Sequence, residues 1–201
     1  MTTPILAVTC ELPSISEKEV LRYAEAKDTN SETQALIRKC IEECEGKFAN
    51  QVAYRRFPIA RKNGKLFIGS MVITSNGLKK NLEHCDEVLL MVASAGLEID
   101  RLIAKYAAIS PAKALMFHCI GTERVETLCD AFCKTFETQE NLKLKPRFSP
   151  GYGDLPLEHQ KEILHLLNAG NLIGVCMNDS LLLSPSKSVT AFAGIENKKE
   201  R

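Results

Sequence analysis

The sequence predicts a single α+β domain: a mainly antiparallel, twisted sheet with helices packed against it. Three observations lead there. Asn63-Gly64 is a strong hairpin signal between two strand-like runs, so at least one pair of strands is antiparallel. The elements follow the order helices, strands, helix pair, loop, helix, strands, without the steady βαβα alternation of a doubly wound sheet. The 201 residues, 45% hydrophobic and 25% charged, suit one core that buries roughly 70% of the unfolded surface.

The first helix is expected near Ser16, where Ser16 and Glu19 have capping-box spacing and Ile15 and Val20 can staple the entry. A second follows Ser31, with Gln34 completing a similar box. On it Ile37, Cys40, Ile41, Cys44 and Phe48 recur on one face. Val52 to Ile59 and Leu66 to Thr74 read as the strands flanking Asn63-Gly64. Ser75-Asn76-Gly77 opens a short polar helix ending near Cys85, and Glu87 to Val92 is an apolar run of strand length.

Helical spacing returns from Leu97 to Ala108. Ser110-Pro111 then starts a long helix reaching about Phe136, because proline fits a first turn whose N–H is unpaired anyway. Gly121 weakens its middle. Residues 138–155 read as irregular. Pro156 opens a last helix capped at Ala169-Gly170, and strands follow at Leu172 to Met177 and Ser188 to Ile195. The domain is assigned to residues 1–195 and a charged tail to 196–201.

Composition excludes several function classes. A net charge of +1 gives no basic surface for nucleic acid, and 6% aromatics without tryptophan give no base-stacking platform. No run of 18 apolar residues could span a membrane, and the N-terminus lacks the basic start and apolar stretch of a secretion signal. Eight cysteines without an export signal read as reduced thiols of a cytoplasmic protein. The dinucleotide GxGxxG, the P-loop and the Gly-x-Ser-x-Gly elbow are all missing. Cys40/Cys44 and Cys129/Cys133 have Cys-x-x-x-Cys spacing, but both pairs lie on apolar helix faces and read as buried thiols rather than metal ligands. His84, His118, His159 and His165 show no ligand-like spacing.

The most distinctive stretch is Lys145-Pro146-Arg147-Phe148-Ser149-Pro150-Gly151-Tyr152-Gly153-Asp154-Leu155-Pro156. Its prolines stiffen the chain, and Gly151 and Gly153 allow positive φ and close approach of a ligand to the backbone. A strip of this kind, with exposed peptide groups, can read an adenine edge while Arg147 forms a bidentate pair with a carboxylate. The same residues also read as a rigid connector with Arg147 in a surface ion pair.

Arg147-Phe148-Ser149-Pro150-Gly151-Tyr152, with Pro156 and His159 beyond, resembles the Arg-x-x-Pro-Gly-Tyr signature of the activation domain of cobalamin (vitamin B12)-dependent methionine synthase. Ile173-Gly174-Val175 and Ser184 to Ala191 are similar to that family's C-terminal strands. Gly96 to Asp100 and Gly121 to Glu126 fit its free-standing members. The likeness spans roughly Glu19 to Ile195.

The resemblance implies a domain that binds S-adenosylmethionine and offers its methyl group in reductive methylation of an oxidised cobalamin. Arg147 would hold the methionyl carboxylate. Backbone groups of Ser149, Pro150 and Gly151 would receive the adenosyl part, and Tyr152 would shape the pocket. Glu126 would face the ammonium or sulfonium charge.

The family's acidic residue shortly before the arginine has no clear match; Glu140 and Asn141 stand near its place. Its N-terminal acidic contact has no evident counterpart, and its C-terminal aromatics reduce to Phe192. Without an Asp-x-His-x-x-Gly corrinoid motif, the chain would meet a corrinoid-binding methionine synthase or related corrinoid protein in trans, with a flavodoxin-like electron donor. The alternative is an assembly partner of a split methionine synthase that has lost ligand binding.

Overall fold

Among the described residues every pair of strands is antiparallel. The computed structural model describes residues 3–26 and 30–196. Its elements, in order, are β1 (Leu6–Thr9), α1 (Glu17–Tyr23), α2 (Ser31–Cys44), β2 (Gln51–Lys62), β3 (Lys65–Ile68), β4 (Met71–Ile73), α3 (Asn76–Asn81), β5 (Cys85–Ser94), α4 (Glu98–Ala107) and α5 (Pro111–Glu140). There follow α6 (His159–Leu166), α7 (Ala169–Ile173), β6 (Cys176–Met177), β7 (Leu183–Ser184) and β8 (Ser188–Glu196). The main sheet runs β4-β3-β2-β5-β8, with β1 pairing the first third of β2; β6 and β7 form a separate ribbon.

The β2–β3 hairpin turns at Asn63-Gly64, with Lys62 opposite Lys65 and positive φ at both turn residues, as a tight primed turn requires. The apolar run in β5 is a strand buried on both faces. Val88, Leu90 and Val92 point into one core with Phe57, Leu78, Ile163, Leu167 and Phe192. Leu89, Met91 and Ala93 point into another, beneath Leu128, Cys129, Phe132 and Phe136 of α5. A third cluster joins α1, α2 and α4 to the N-terminal half of α5 through Val20, Ile37, Cys40, Cys44, Ile99 and Phe117. The single-domain α+β architecture follows: α5, about 45 Å long at 1.5 Å per residue, lies across one sheet face, while α3, α6 and α7 cover the other.

Several local expectations change. The Ser16 hydroxyl caps α1 by accepting from the Glu19 amide. Glu19, however, bonds Arg22 instead of closing the box, and the Ser16 amide goes to Glu123. The cap of α2 is Asn30, one residue before Ser31, the cap that the Ser31–Gln34 spacing suggested. The run 66–74 breaks at Gly69 (φ +58) into β3 and β4.

The expected helix from Pro156 to Gly170 is two helices, because Asn168 turns left-handed between α6 and α7 and Gly174 provides the final left-handed cap. Leu172 and Ile173 are therefore helical, and only Cys176–Met177 form a strand. The strand β1 had no counterpart in the sequence reading. Of the proposed tail, Glu196 closes β8, and residues 197–201 lie outside the described residues. No described helix is long and apolar enough to cross a membrane.

Candidate functional site

The strip carrying Arg147 is held on three sides. Its first half lies along the outer edge of β8: Lys145 donates to the Gly194 carbonyl at 2.7 Å, and Phe148 and Phe192 exchange two backbone hydrogen bonds of 2.8 Å. Asn81 of α3 donates to the Pro146 carbonyl at 3.0 Å. Asp154 then fastens the far end by accepting from the Ser75 hydroxyl and from the amides of Asn76 (2.6 Å) and Gly77 (3.0 Å). The Ser75 bond and the two amides hold the Asp154 carboxyl below its ordinary range. Phe148 is buried in the core, so the strip has a hydrophobic anchor as well.

This docking aims Arg147 at α5. Its Nη2 lies 3.0 Å from Glu126 Oε2 and 3.0 Å from Asp130 Oδ1. Glu126 and Asp130 are four residues apart, so both project from one side of the helix. Arg147 Nη1 is buried and has no hydrogen-bond partner among the described residues. Leaving such a donor unpaired is costly, and an oxyanion beside it would remove the cost.

Grooves open on both sides of this junction. One, of about 800 Å³, is bounded by Asp130, Cys133, Glu137, Leu144, Pro146 and Arg147. The other, of about 270 Å³, lies between α1 and α5 and is lined by Glu19, Arg22, Tyr23, Glu123, Glu126 and Asp130. The structure thus brings together Arg147 and Glu126, which are 21 residues apart in sequence.

The rest of the strip departs from the expected row of open peptide groups. Gly151 donates to the Leu155 carbonyl at 2.8 Å, and Tyr152 to Ser149 at 3.1 Å, closing a tight double turn with Pro150 at its start. The amide and hydroxyl of Ser149 make no hydrogen bond among the described residues. Tyr152 is 69% exposed and packs edge-on against Phe148, with ring centroids 5.3 Å apart. It is the one large exposed hydrophobic side chain within 147–153.

The sequence reading missed Asp130, and it missed Glu19, Arg22 and Tyr23 on the groove wall. Asp130 carried a usable signal, its four-residue spacing from Glu126 on a helix already recognised. The residues of α1 carried none, because only tertiary packing sets α1 beside α5. Also missed was the buried pair Glu123 and Arg124. Glu123 accepts from the Ser16 amide and the Thr127 hydroxyl, while Arg124 donates to the Pro13 carbonyl. The pair ties the N-terminal segment to α5, which gives these buried charges their partners.

The cysteine pairs sit in apolar surroundings. Burial raises the Cys40 thiol to about 11 and those of Cys44 and Cys133 to about 12. Among the described residues no group of three or more His, Cys, Asp or Glu is placed to hold a metal ion.

A long helix crossing an antiparallel sheet, with a Pro/Gly strip docked on the sheet edge and an arginine bridging to that helix, defines the architecture. No protein-family model matches the chain, and no curated protein matches it by sequence. Among solved structures it is similar to the crystal structure of the MetH reactivation domain bound to AdoHcy. The TM-score is 0.76 at 13% identity, over 100% of this chain and 81% of that one. The two chains share a fold.

Proposed function

We propose that this chain is an S-adenosylmethionine-binding reactivation subunit that supports reductive methylation of the cobalamin of a separate methionine synthase or related corrinoid protein. The observation that carries the proposal is the position of Arg147. Within the Arg-x-x-Pro-Gly-Tyr run, it bridges the docked strip to Glu126 on α5, in a fold shared with a domain crystallised with AdoHcy, an S-adenosylmethionine analogue.

The residues suit the ligand's chemistry. Arg147 Nη1 can take the methionyl carboxylate, and Glu126 would face the ammonium or sulfonium charge. Ser149 offers a free amide and hydroxyl to the adenosyl part, with Pro150, Gly151 and Tyr152 forming the adjoining wall. The cobalamin, carried by the partner, would accept the methyl group, with an electron from a flavodoxin-like donor. The binding unit is residues 1–195, in the cytoplasm.

Calorimetric titration with S-adenosylmethionine, beside Arg147→Ala, tests this. Saturable binding weakened by about 1.5–3 kcal/mol in the variant is expected for a lost charged hydrogen bond. Unchanged affinity would remove Arg147 from the role.

One observation favours a second reading, an assembly partner without ligand binding. Arg147 already holds two carboxylates, and the Gly151 and Tyr152 amides are already used. Association with the corrinoid partner that ignores both S-adenosylmethionine and Arg147→Ala would select it.

A further inference from the structure

Lys187 lies at the start of β8 and is 6% exposed, yet no carboxylate forms an ion pair with it among the described residues. Burying an ammonium group this way is unfavourable unless something compensates it. Its Nζ sits 2.9 Å from Thr122 Oγ1, and 3.1 and 3.3 Å from Nδ1 and Nε2 of His118. Near-equal reach to both ring nitrogens keeps the ammonium out of line with either lone pair. The Thr122 hydroxyl gives its own proton to the His118 carbonyl at 3.0 Å, so it faces Lys187 as an acceptor. An ammonium has three N–H donors, and Thr122 satisfies one.

The nearby carboxylate, Asp100, is turned away to the amide and hydroxyl of Ser186. Cys119 is the other titratable neighbour. Burial holds Lys187 below the usual lysine range, and burial together with Lys187 does the same for His118.

Gly121 shows that the lysine's path is specific. A Cβ at that position would lie 2.8 Å from Lys187 Cγ and 3.0 Å from Ile99 Cγ1. The helix accepts a glycine in its interior, unfavourable by about 1 kcal/mol against alanine, where the lysine stem crosses it. The stem is buried against α5, and Nζ lies 3.1 Å from Nδ1 of His118, a residue that is itself exposed.

We propose that Lys187, His118 and Thr122 form a binding subsite for a small oxyanion, a carboxylate or a phosphate. The anion would take the spare ammonium protons and a ring N–H of His118, supplying the contact counter-charge that Asp100, turned to Ser186, does not. Thr122 is one helical turn before Glu126, so the subsite adjoins the Arg147 site along α5 but shares no residue with it.

Inorganic phosphate and acetate, each titrated into the full chain while the His118 ring protons are followed by NMR, test the subsite and its preferred anion. A saturable shift is expected with at least one anion. In Lys187→Met and His118→Ala the midpoint should rise about tenfold, the factor for one charged hydrogen bond, while Lys187→Arg keeps it. His118→Ala would be followed by calorimetry. It alters an exposed side chain, so it remains informative if Lys187→Met fails to fold. No saturable shift with either anion, or equal midpoints in wild type and variants, would overturn the proposal. Arg147→Ala should leave the phosphate titration unchanged, which separates failure here from failure of the S-adenosylmethionine reading.

Discussion

The two carboxylates on Arg147 should affect ligand affinity with opposite signs. Both touch the same Nη2 at 3.0 Å, but Glu126 is 43% exposed and Asp130 77%. Asp130 is therefore the weakly held partner, and an exposed ion pair is worth about 0.2–1 kcal/mol. A ligand carboxylate arriving at Arg147 competes with it. Asp130→Asn releases the guanidinium, and S-adenosylmethionine should bind roughly 1.4- to 5-fold more tightly, since about 1.4 kcal/mol is tenfold.

Glu126 is the less exposed of the two and, in the proposed binding mode, would face the ligand's cationic centre. Glu126→Gln should weaken binding by about 1.5 kcal/mol, the low end for a charged hydrogen bond, because the site is half-exposed. Calorimetry on both variants, repeated in the Arg147→Ala background, reads the coupling directly. The gain from Asp130→Asn must disappear once Arg147 is gone. If both variants shift affinity in the same direction, or the gain survives without Arg147, the ligand carboxylate does not lie on that guanidinium.

Other outcomes follow from the packing. Gly96 has φ +96, and a Cβ there would lie 2.8 Å from Ala49 Cβ and 3.2 Å from Ala49 N. Gly96→Ala should therefore cost about 3 kcal/mol from strain and overpacking, lowering Tm by roughly 6–12 °C in a thermal scan. A native-state thiol titration should show one fast cysteine, Cys176, because Cys40, Cys44, Cys85, Cys119 and Cys129 are buried and Cys10 and Cys133 half-buried; Cys176→Ser should abolish it. The Asp154 carboxyl is lowered in the folded state. Its anchoring of the strip to α3 is thus present above its unfolded pKa and is lost as pH falls through the lower folded value. Hydrogen exchange at the strip amides should show acid-induced loosening in the wild type, whereas Asp154→Ala, which lacks the titrating group, should already be loosened at neutral pH.

What could be read from the sequence were features whose cause is local. Asn63-Gly64 sets its hairpin by the φ values its turn requires, and Ser110-Pro111 starts α5 because proline suits a first turn. The run in β5 was recognisable as strand, although only the packing shows that its alternate residues serve two different cores. Features set by distant contacts stayed hidden. The strand β1 is solvent-exposed along its whole length, so it carries no inward face to give an alternating pattern. Pro156 to Gly170 has the composition of one helix, and the left-handed turn at Asn168 that divides it has no strong sequence mark. In the candidate site, Arg147 and Glu126, which pair at 3.0 Å, were both named from the sequence, while the use of the Gly151 and Tyr152 amides inside their own turn was not.

That last difference bears on how the strip could work. A chain of free peptide groups would bind through its backbone, but this one spends two of its amides on its own rigidity. Asp154 and Asn81 hold it from α3, and Phe148 holds it from the core. The consequence is a fixed Arg147, since the residue is flanked by Pro146, fastened through its carbonyl, and Phe148, locked to β8 at 2.8 Å in both directions. An arginine placed this way loses little freedom when it meets a carboxylate, so more of the contact energy is retained as affinity. The turn at 149–155 is on this view a support for the arginine more than a reader of the ligand. Substitutions that loosen the support, such as Asp154→Ala, should weaken S-adenosylmethionine binding without removing any group that touches it. Calorimetry with Asp154→Ala that returned wild-type affinity would show instead that the strip binds by adapting to its ligand.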